Sequence, residues 1–308
     1  WWASIGTSED CSDAEPIGIS EPSQVFLEKD FQLDQGGTIS GTVYQTDGTT
    51  PVPDVHINLI SWDWDYWDST ETDADGKYSI AGIPAGSYRL RAYPPLGYEQ
   101  VYYPHTLDSN QAEMITLAGS EIVTGKDFLL GPGGAIRGYA YESDGTTPIA
   151  NYNIAAGPYN GNGGFGCCTN EDGYFEIRIG YGNHRVHASG VCEGGINHVS
   201  EFFNDKKRWE DADPVLVDVG INPELIFILE IDTDYDGLGD DWEIKHFGDL
   251  SNDGNYDSDN DGLNDRAEYE NNTDPNDIDS DGDLVSDSYE VYQSHTDPTD
   301  PSDSPGIP

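Results

Sequence analysis

Short runs of alternating apolar and polar residues fill the first 230 residues of the chain. Thr38 to Tyr44 alternates, Val55 to Ile60 is rich in β-branched and aliphatic side chains, Lys77 to Ile80 follows an Asp-Gly turn, and Ser87 to Ala92 alternates again. A period of two sends one set of side chains into a core and the other to solvent, so each run is predicted as a half-buried strand. Gly, Pro and Asp break the runs about every 8 to 12 residues, and no segment between them has the length and period of a helix. Asp73-Ala74-Asp75-Gly76 and Glu171-Asp172-Gly173 are predicted as hairpin turns.

The runs occur twice. Lys29-Asp30-Phe31, Leu33, Gly36-Gly37, Ile39, Gly41, Tyr44 and Asp47-Gly48-Thr49-Thr50-Pro51 recur as Lys126-Asp127-Phe128, Leu130, Gly133-Gly134, Ile136, Gly138, Tyr141 and Asp144-Gly145-Thr146-Thr147-Pro148, at a constant offset of 97. Thr72 and Asp75-Gly76 keep the same offset to Thr169 and Asp172-Gly173, and Tyr88-Arg89 meet His184-Arg185 at an offset of 96. Two successive modules of one small antiparallel design are expected. Each closes on an aromatic pair followed by an apolar strand, Tyr102-Tyr103 before Met114 to Leu117 and Phe202-Phe203 before Val215 to Val219. Trp1-Trp2 before Ile17 to Ile19 fits the same scheme, so the first 33 residues read as the tail of a preceding module, or as a strand-donating segment.

From Ile231 onward the alternation gives way to Asp, Asn and Gly, with only Lys245 and Arg266 as cations. Asp232, Asp234, Asp236, Gly237, Leu238, Asp240 and Glu243 fall at positions 1, 3, 5, 6, 7, 9 and 12 of a twelve-residue calcium loop. Asp257, Asp259, Asp261, Gly262, Leu263, Asp265 and Glu268 repeat the pattern. A hard cation taking six to eight oxygens needs carboxylates on alternate residues of a tight turn, a main-chain oxygen at position 7 and a Glu at position 12. The third copy, Asp279, Asp281, Asp283, Asp287 and Glu290, has Leu284 at the turn-glycine position and Gly282 at position 4. A solvated acidic tail would not place Gly and Glu at fixed steps. Trp242, Ile244, Phe247, Leu263 and Tyr269 are expected on short helical turns after the loops.

The run GGTISGTVYQTDGTTPVPDVHINL, followed by TDADGKYSIAGIPAGSYRLRAY, resembles the carboxypeptidase regulatory-like domain, a transthyretin-like β-sandwich related to collagen-adhesin B-type repeats. The second module departs from it where IPAG is replaced by Gly180-Tyr181-Gly182-Asn183. The acidic segment, with Asn-Thr-Asp-Pro at 272–275 and Thr-Asp-Pro at 296–298, resembles thrombospondin type 3 repeats. These resemblances imply a mainly β chain: tandem seven-stranded antiparallel sandwiches at 34–130 and 131–230, then an irregular calcium-loop array with short helical turns at 231–308. They imply a non-catalytic spacer or stalk whose C-terminal part is built around ions.

Composition narrows the partners. The chain of 308 residues carries 59 Asp and Glu against 13 Lys and Arg, a formal charge of -46, which repels nucleic acid and anionic lipid and attracts cations, Ca2+ first. The longest strongly apolar run, Leu225 to Leu229, is far short of the ~20 residues a spanning helix needs, so no membrane insertion is expected. The chain begins at Trp1 without a basic and apolar leader, consistent with a removed signal or with more chain upstream, and an extracellular, secreted or cell-surface location is expected.

Four cysteines, Cys11, Cys167, Cys168 and Cys192, fit that location, with Cys192 expected to bridge to one of the vicinal pair. Zinc is the sharper alternative, since His184, His187 and His198 lie nearby, but His184 and His187 are three apart on a strand and point to opposite faces.

Trp62, Trp64 and Trp67 stand in an aromatic and acidic run, with Trp62, Trp64 and Tyr66 expected on one face as a binding surface for another protein or a glycan. No Gly-x-Ser-x-Gly, His-Glu-x-x-His or phosphate loop is present, and paired carboxylates are too abundant to be informative. The expectation is a non-enzymatic structural or adhesive protein, in contact with copies of itself head-to-tail or with other surface proteins. The alternative is an accessory glycan-binding region of a larger secreted hydrolase.

Overall fold

The computed structural model describes residues 35–63, 66–192, 194 and 196–304, and the backbone of residues 2–3 and 6–7. The latter form β1 (Trp2–Ala3) and β2 (Gly6–Thr7), paired antiparallel. Cys11 and the apolar positions Ile17 and Ile19 lie outside the described residues.

The first module is a sandwich. In one sheet β3 (Gly37–Gln45) pairs antiparallel with β6 (Lys77–Ile83). In the other, β4 (His56–Ser61) lies between β5 (Trp67–Glu71) and β7 (Gly86–Tyr93), and β8 (Val101–Tyr102) and β9 (Ile115–Leu117) extend β7. The chain then crosses back to the first sheet, where β10 (Ile122–Val123) and β11 (Phe128–Leu130) run parallel to β3. Alternation identifies a strand but not its partner, so this parallel closure was not visible in the sequence. Between β10 and β11 the chain passes hard against Gly41, where a Cβ would run into the Lys126 carbonyl. Ile39, Val43, Ile57, Leu59, Leu90 and Phe128 are fully buried between the sheets, as their alternation requires.

The second module repeats this arrangement. β12 (Gly133–Glu142) pairs antiparallel with β15 (Tyr174–Gly180) and parallel with β19 (Glu224–Leu229). β13 (Tyr152–Pro158) lies between β14 (Phe165–Cys168) and β16 (Gly182–Val191), and β17 (Glu201–Phe202) and β18 (Val215–Val217) extend β16. Gly138, at offset 97 from Gly41, faces the Leu225 carbonyl at the same crossing. A disulfide joins Cys168 to Cys192, and Cys167 is a free, half-buried thiol.

The modules share a junction. The Glu99 N–H donates to the Gly131 carbonyl at 3.0 Å, and the Tyr102 ring enters the second module's core, stacked on Phe165 at 5.4 Å. The second module holds the acidic segment through the corresponding stretch. The Val199 N–H donates to the Glu230 carbonyl at 2.8 Å, and the Asp232 N–H to the Asn197 carbonyl at 3.1 Å. Three short α-helices follow, one starting in each loop's C-terminal half: α1 (Asp240–His246), α2 (Asp265–Asn271) and α3 (Asp287–Tyr289). No helix among the described residues is long and apolar enough to cross a membrane.

Candidate metal centre

Each acidic loop is first shaped by hydrogen bonds within itself. Asp232 accepts from the Tyr235 N–H at 2.8 Å and the Gly237 N–H at 3.1 Å, Asp257 from the Gly262 N–H at 3.1 Å, and Asp279 from the N–H groups of Gly282 and Leu284, both at 2.9 Å. The position-5 carboxylates Asp236, Asp261 and Asp283 accept from the N–H two residues on, at 2.7–2.8 Å. Such local bonds fold an Asp-rich segment into turns that have no apolar core of their own.

Positions 4 and 6 of every loop adopt left-handed backbone. They are Tyr235 and Gly237 (φ 65° and 90°), Asn260 and Gly262 (64° and 104°), and Gly282 and Leu284 (79° and 78°). The third loop therefore keeps the shared geometry, with its glycine moved from one left-handed position to the other.

Inside this frame lie oxygens that the protein does not satisfy. One buried oxygen on each of Asp236, Asp257, Asp259, Asp281, Asp283 and Glu290, and both on Glu243 and Glu268, lack a hydrogen-bond partner. Among the described residues, no other buried carboxylate oxygen does. Glu243, Glu268 and Glu290 are fully buried on the helical turn that closes each loop. Burial first, then the neighbouring loop aspartates, push Glu243 up to about 7 and Glu268 up to about 8. Burial likewise raises Asp287 to about 6.

Carboxylate oxygens of Asp257, Asp259 and Asp261 lie within 4.8 Å of one another, as do those of Asp279, Asp281 and Asp283. In the first loop Asp234 belongs to two such groups, one with Asp232 and Asp240, the other with Asp236 and Glu243. A donor set of carboxylate oxygens alone, with no nitrogen or sulfur, fits a hard divalent cation, whose charge would relieve the repulsion among these acids. The described groups able to hold a metal all lie in these loops.

The position-9 carboxylates have a further role that spacing did not reveal. Asp240 accepts from the Thr233 N–H at 2.8 Å and hydroxyl at 2.9 Å, Asp265 from those of Ser258 at 3.0 and 2.9 Å, and Asp287 from those of Ser280 at 3.0 and 2.6 Å. The sequence signal for this strut is the hydroxyl residue at position 2 of all three loops. The position-7 side chains Leu238 and Leu263 are fully buried, and Leu238 packs with Val199 of the second module and with Tyr269. The Trp242 ring meets Tyr269 at 5.1 Å.

Successive loops are linked through position 10. The Arg266 guanidinium donates to the Asp236 carbonyl at 2.6 Å and to the Asp253 carbonyl at 2.9 Å. The first loop is tied in turn to the second module, where the Asn197 amide donates to Asp232 Oδ2 at 3.1 Å.

The remaining predicted residues lie elsewhere. Trp62 and Trp67 are 60% and 63% exposed, and Trp64 lies outside the described residues. Tyr66 does not share their surface: it packs edge-on against Tyr88 at 5.8 Å, next to the first core, because the turn beginning at Trp62 resets the alternation. His184 is buried, while His187 on the opposite face stacks on Phe202.

Residues 38–118 match the family model of the carboxypeptidase regulatory-like domain, and residues 257–278 and 279–301 match that of the bacterial TSP3 repeat. No curated protein matches the chain. Solved structures similar to it include the TIE protein of Bacillus anthracis, 14% identical with a TM-score of 0.26 over 65% of this chain and 34% of that one. A streptococcal ancillary pilin is 15% identical with a TM-score of 0.26 over 64% and 62%, and the major pilin subunit of Bacillus cereus is 8% identical with a TM-score of 0.22 over 64% and 99%. The chain thus spans about a third of the first of these and less than two thirds of the second. Likenesses this distant say nothing of function. The chain carries a carboxypeptidase regulatory-like domain at 38–118 and bacterial TSP3 repeats over 257–301, after a second sandwich of the same strand order.

Proposed function

We propose that this chain is a calcium-binding, non-catalytic extracellular protein with a structural or adhesive role, stiffened at its C-terminal end by calcium. The carrying observation is the set of buried, unpartnered carboxylate oxygens gathered inside the three loops. Without a cation they repel one another and remain desolvated, and a cation at each centre turns both costs into attraction. Asp232, Asp234, Asp236, Glu243 and their counterparts would hold the ion, with main-chain oxygens of Leu238 and Leu263, while Asp240, Asp265 and Asp287 brace the turns. The repeated junction supports a rod-like subunit, since each unit grips the next through backbone hydrogen bonds. Trp62 and Trp67 supply an exposed aromatic surface suited to contact with copies of the chain or other surface proteins.

Limited proteolysis tests the calcium reading. In calcium the whole chain resists digestion. After chelation, cuts are expected within 231–304 while a fragment carrying both sandwiches survives. An unchanged digestion pattern after complete calcium removal overturns it.

A further inference from the structure

The outer face of the β14–β13–β16–β17 sheet, on the second module and lined by no residue of the acidic loops, carries a groove of about 490 Å³. That volume lies in the range of small-ligand sites. Its floor is low because Ala155 and Gly157 stand at outward positions of β13. Its walls are aromatic and polar: His187 stacks on Phe202 at 4.5 Å, Trp209 meets Phe202 edge-on at 5.7 Å, and the Arg185 guanidinium lies 3.9 Å from the Trp209 ring centre.

The fold alone does not produce this groove. In the first module Ile60 faces Arg89 where Gly157 faces Arg185, and Arg91 faces Tyr102 where His187 faces Phe202. Ile60 is buried there and fills the space that Gly157 leaves open. The helical turn beginning at Trp209 corresponds to one beginning at Ser109, which offers Arg89 a carbonyl at 3.3 Å in place of a ring. The second module has thus acquired a small-residue floor and an added indole, with Trp209 half exposed.

The lining chemistry selects the ligand. No carboxylate lines the groove, although the chain carries 59 acidic residues, so nothing in it forms an ion pair with a cation, and the Arg185 charge repels one. The single full charge is Arg185, which already rests against the rings of Tyr159 and Trp209 and donates to the Tyr159 carbonyl. Burial lowers the His187 pKa, so that ring is neutral near pH 7. A net charge of -46 repels polyanions. What remains is an uncharged ligand with an apolar face for the rings and many hydroxyls for Arg185, Asn153 and His187.

We propose that this groove binds a neutral glycan, one sugar ring lying against the half-exposed indole of Trp209. The site is separate from the calcium loops and from Trp62 and Trp67.

Affinity electrophoresis of the intact protein, in calcium, through gels containing neutral polysaccharides (a β-glucan, a galactomannan, starch) or polygalacturonate tests the proposal. At least one neutral polysaccharide is expected to retard the protein. Trp209→Ala, and Ala155→Trp which fills the groove, should each weaken that retardation ten-fold or more, and Trp67→Ala should leave it unchanged. Retardation by none of the neutral polysaccharides, by polygalacturonate alone, or equally in wild type and Ala155→Trp overturns the proposal. Thermal melting of each variant shows that it is folded, and if Trp209→Ala melts early, Ala155→Trp decides.

Discussion

The Ser288 hydroxyl donates to the main-chain oxygen of Asp261 at 2.7 Å while the Ser288 N–H donates to the Asp261 carboxylate at 2.8 Å, so a residue of the third loop holds one of the clustered carboxylates of the second. Arg266 holds Asp236 of the first loop in the same way. Ordering one loop therefore pre-pays part of the cost of ordering the loop before it. Ser288→Ala is expected to weaken calcium binding at the second loop by roughly 2- to 10-fold, the worth of one hydrogen bond. Calorimetric titration of wild type and variant checks this, and an effect confined to the third loop would refute the coupling.

Leu284 is 91% exposed and held at φ 78°, so it has the strain of a left-handed residue without compensating burial. Leu284→Gly should raise the melting temperature in calcium through a gain of about 1 kcal/mol. Gly282→Ala should lower it by a similar amount. If both leave melting unchanged, the third loop does not adopt this backbone in solution.

Acidification should release calcium. Glu243 and Glu268 have folded pKa values raised to about 7 and about 8, above the ordinary 4.5, so the metal-free fold binds more protons than the unfolded chain between those limits. Metal-free stability then falls as pH rises from about 4.5 to about 8, which is the reverse of a salt-bridged carboxylate. Calcium must displace those protons, so affinity at the first loop should drop roughly ten-fold between pH 8 and pH 6, and further at the second. Competition against a chelator whose own pH dependence is known measures it, and a flat profile would contradict the raised values.

The crossing strand leaves no room beside Gly138, where a Cβ would meet the Leu225 carbonyl. Gly138→Ala should destabilise the second module by about 1–3 kcal/mol, because only backbone movement can relieve the clash. Trp67→Ala, at a site 63% exposed, should change stability by less than about 0.5 kcal/mol. Denaturant unfolding of the two variants separates a packing position from a surface one.

Much of this molecule was legible in one dimension because its constraints are local. Period-two alternation marked Ile39, Val43, Ile57 and Leu59 as core, since a strand has only two faces. The spacing of Asp232, Asp234, Asp236 and Glu243 marked a loop whose carboxylates could gather around a cation, because a twelve-residue turn folds on itself by its own hydrogen bonds. Gly41 and Gly138 stood out as repeated glycines, but their reason, a strand crossing from residues far along the chain, belongs to the tertiary structure. The same holds for the parallel pairing of β11 with β3 and of β19 with β12, for Asn197 and Arg266 against the first loop, and for the groove beside Trp209. Sequence fixes which face a side chain takes and what chemistry it carries. What meets that face depends on how sheets, loops and modules pack, and only the folded chain brings residues distant in sequence to within bonding distance of one another.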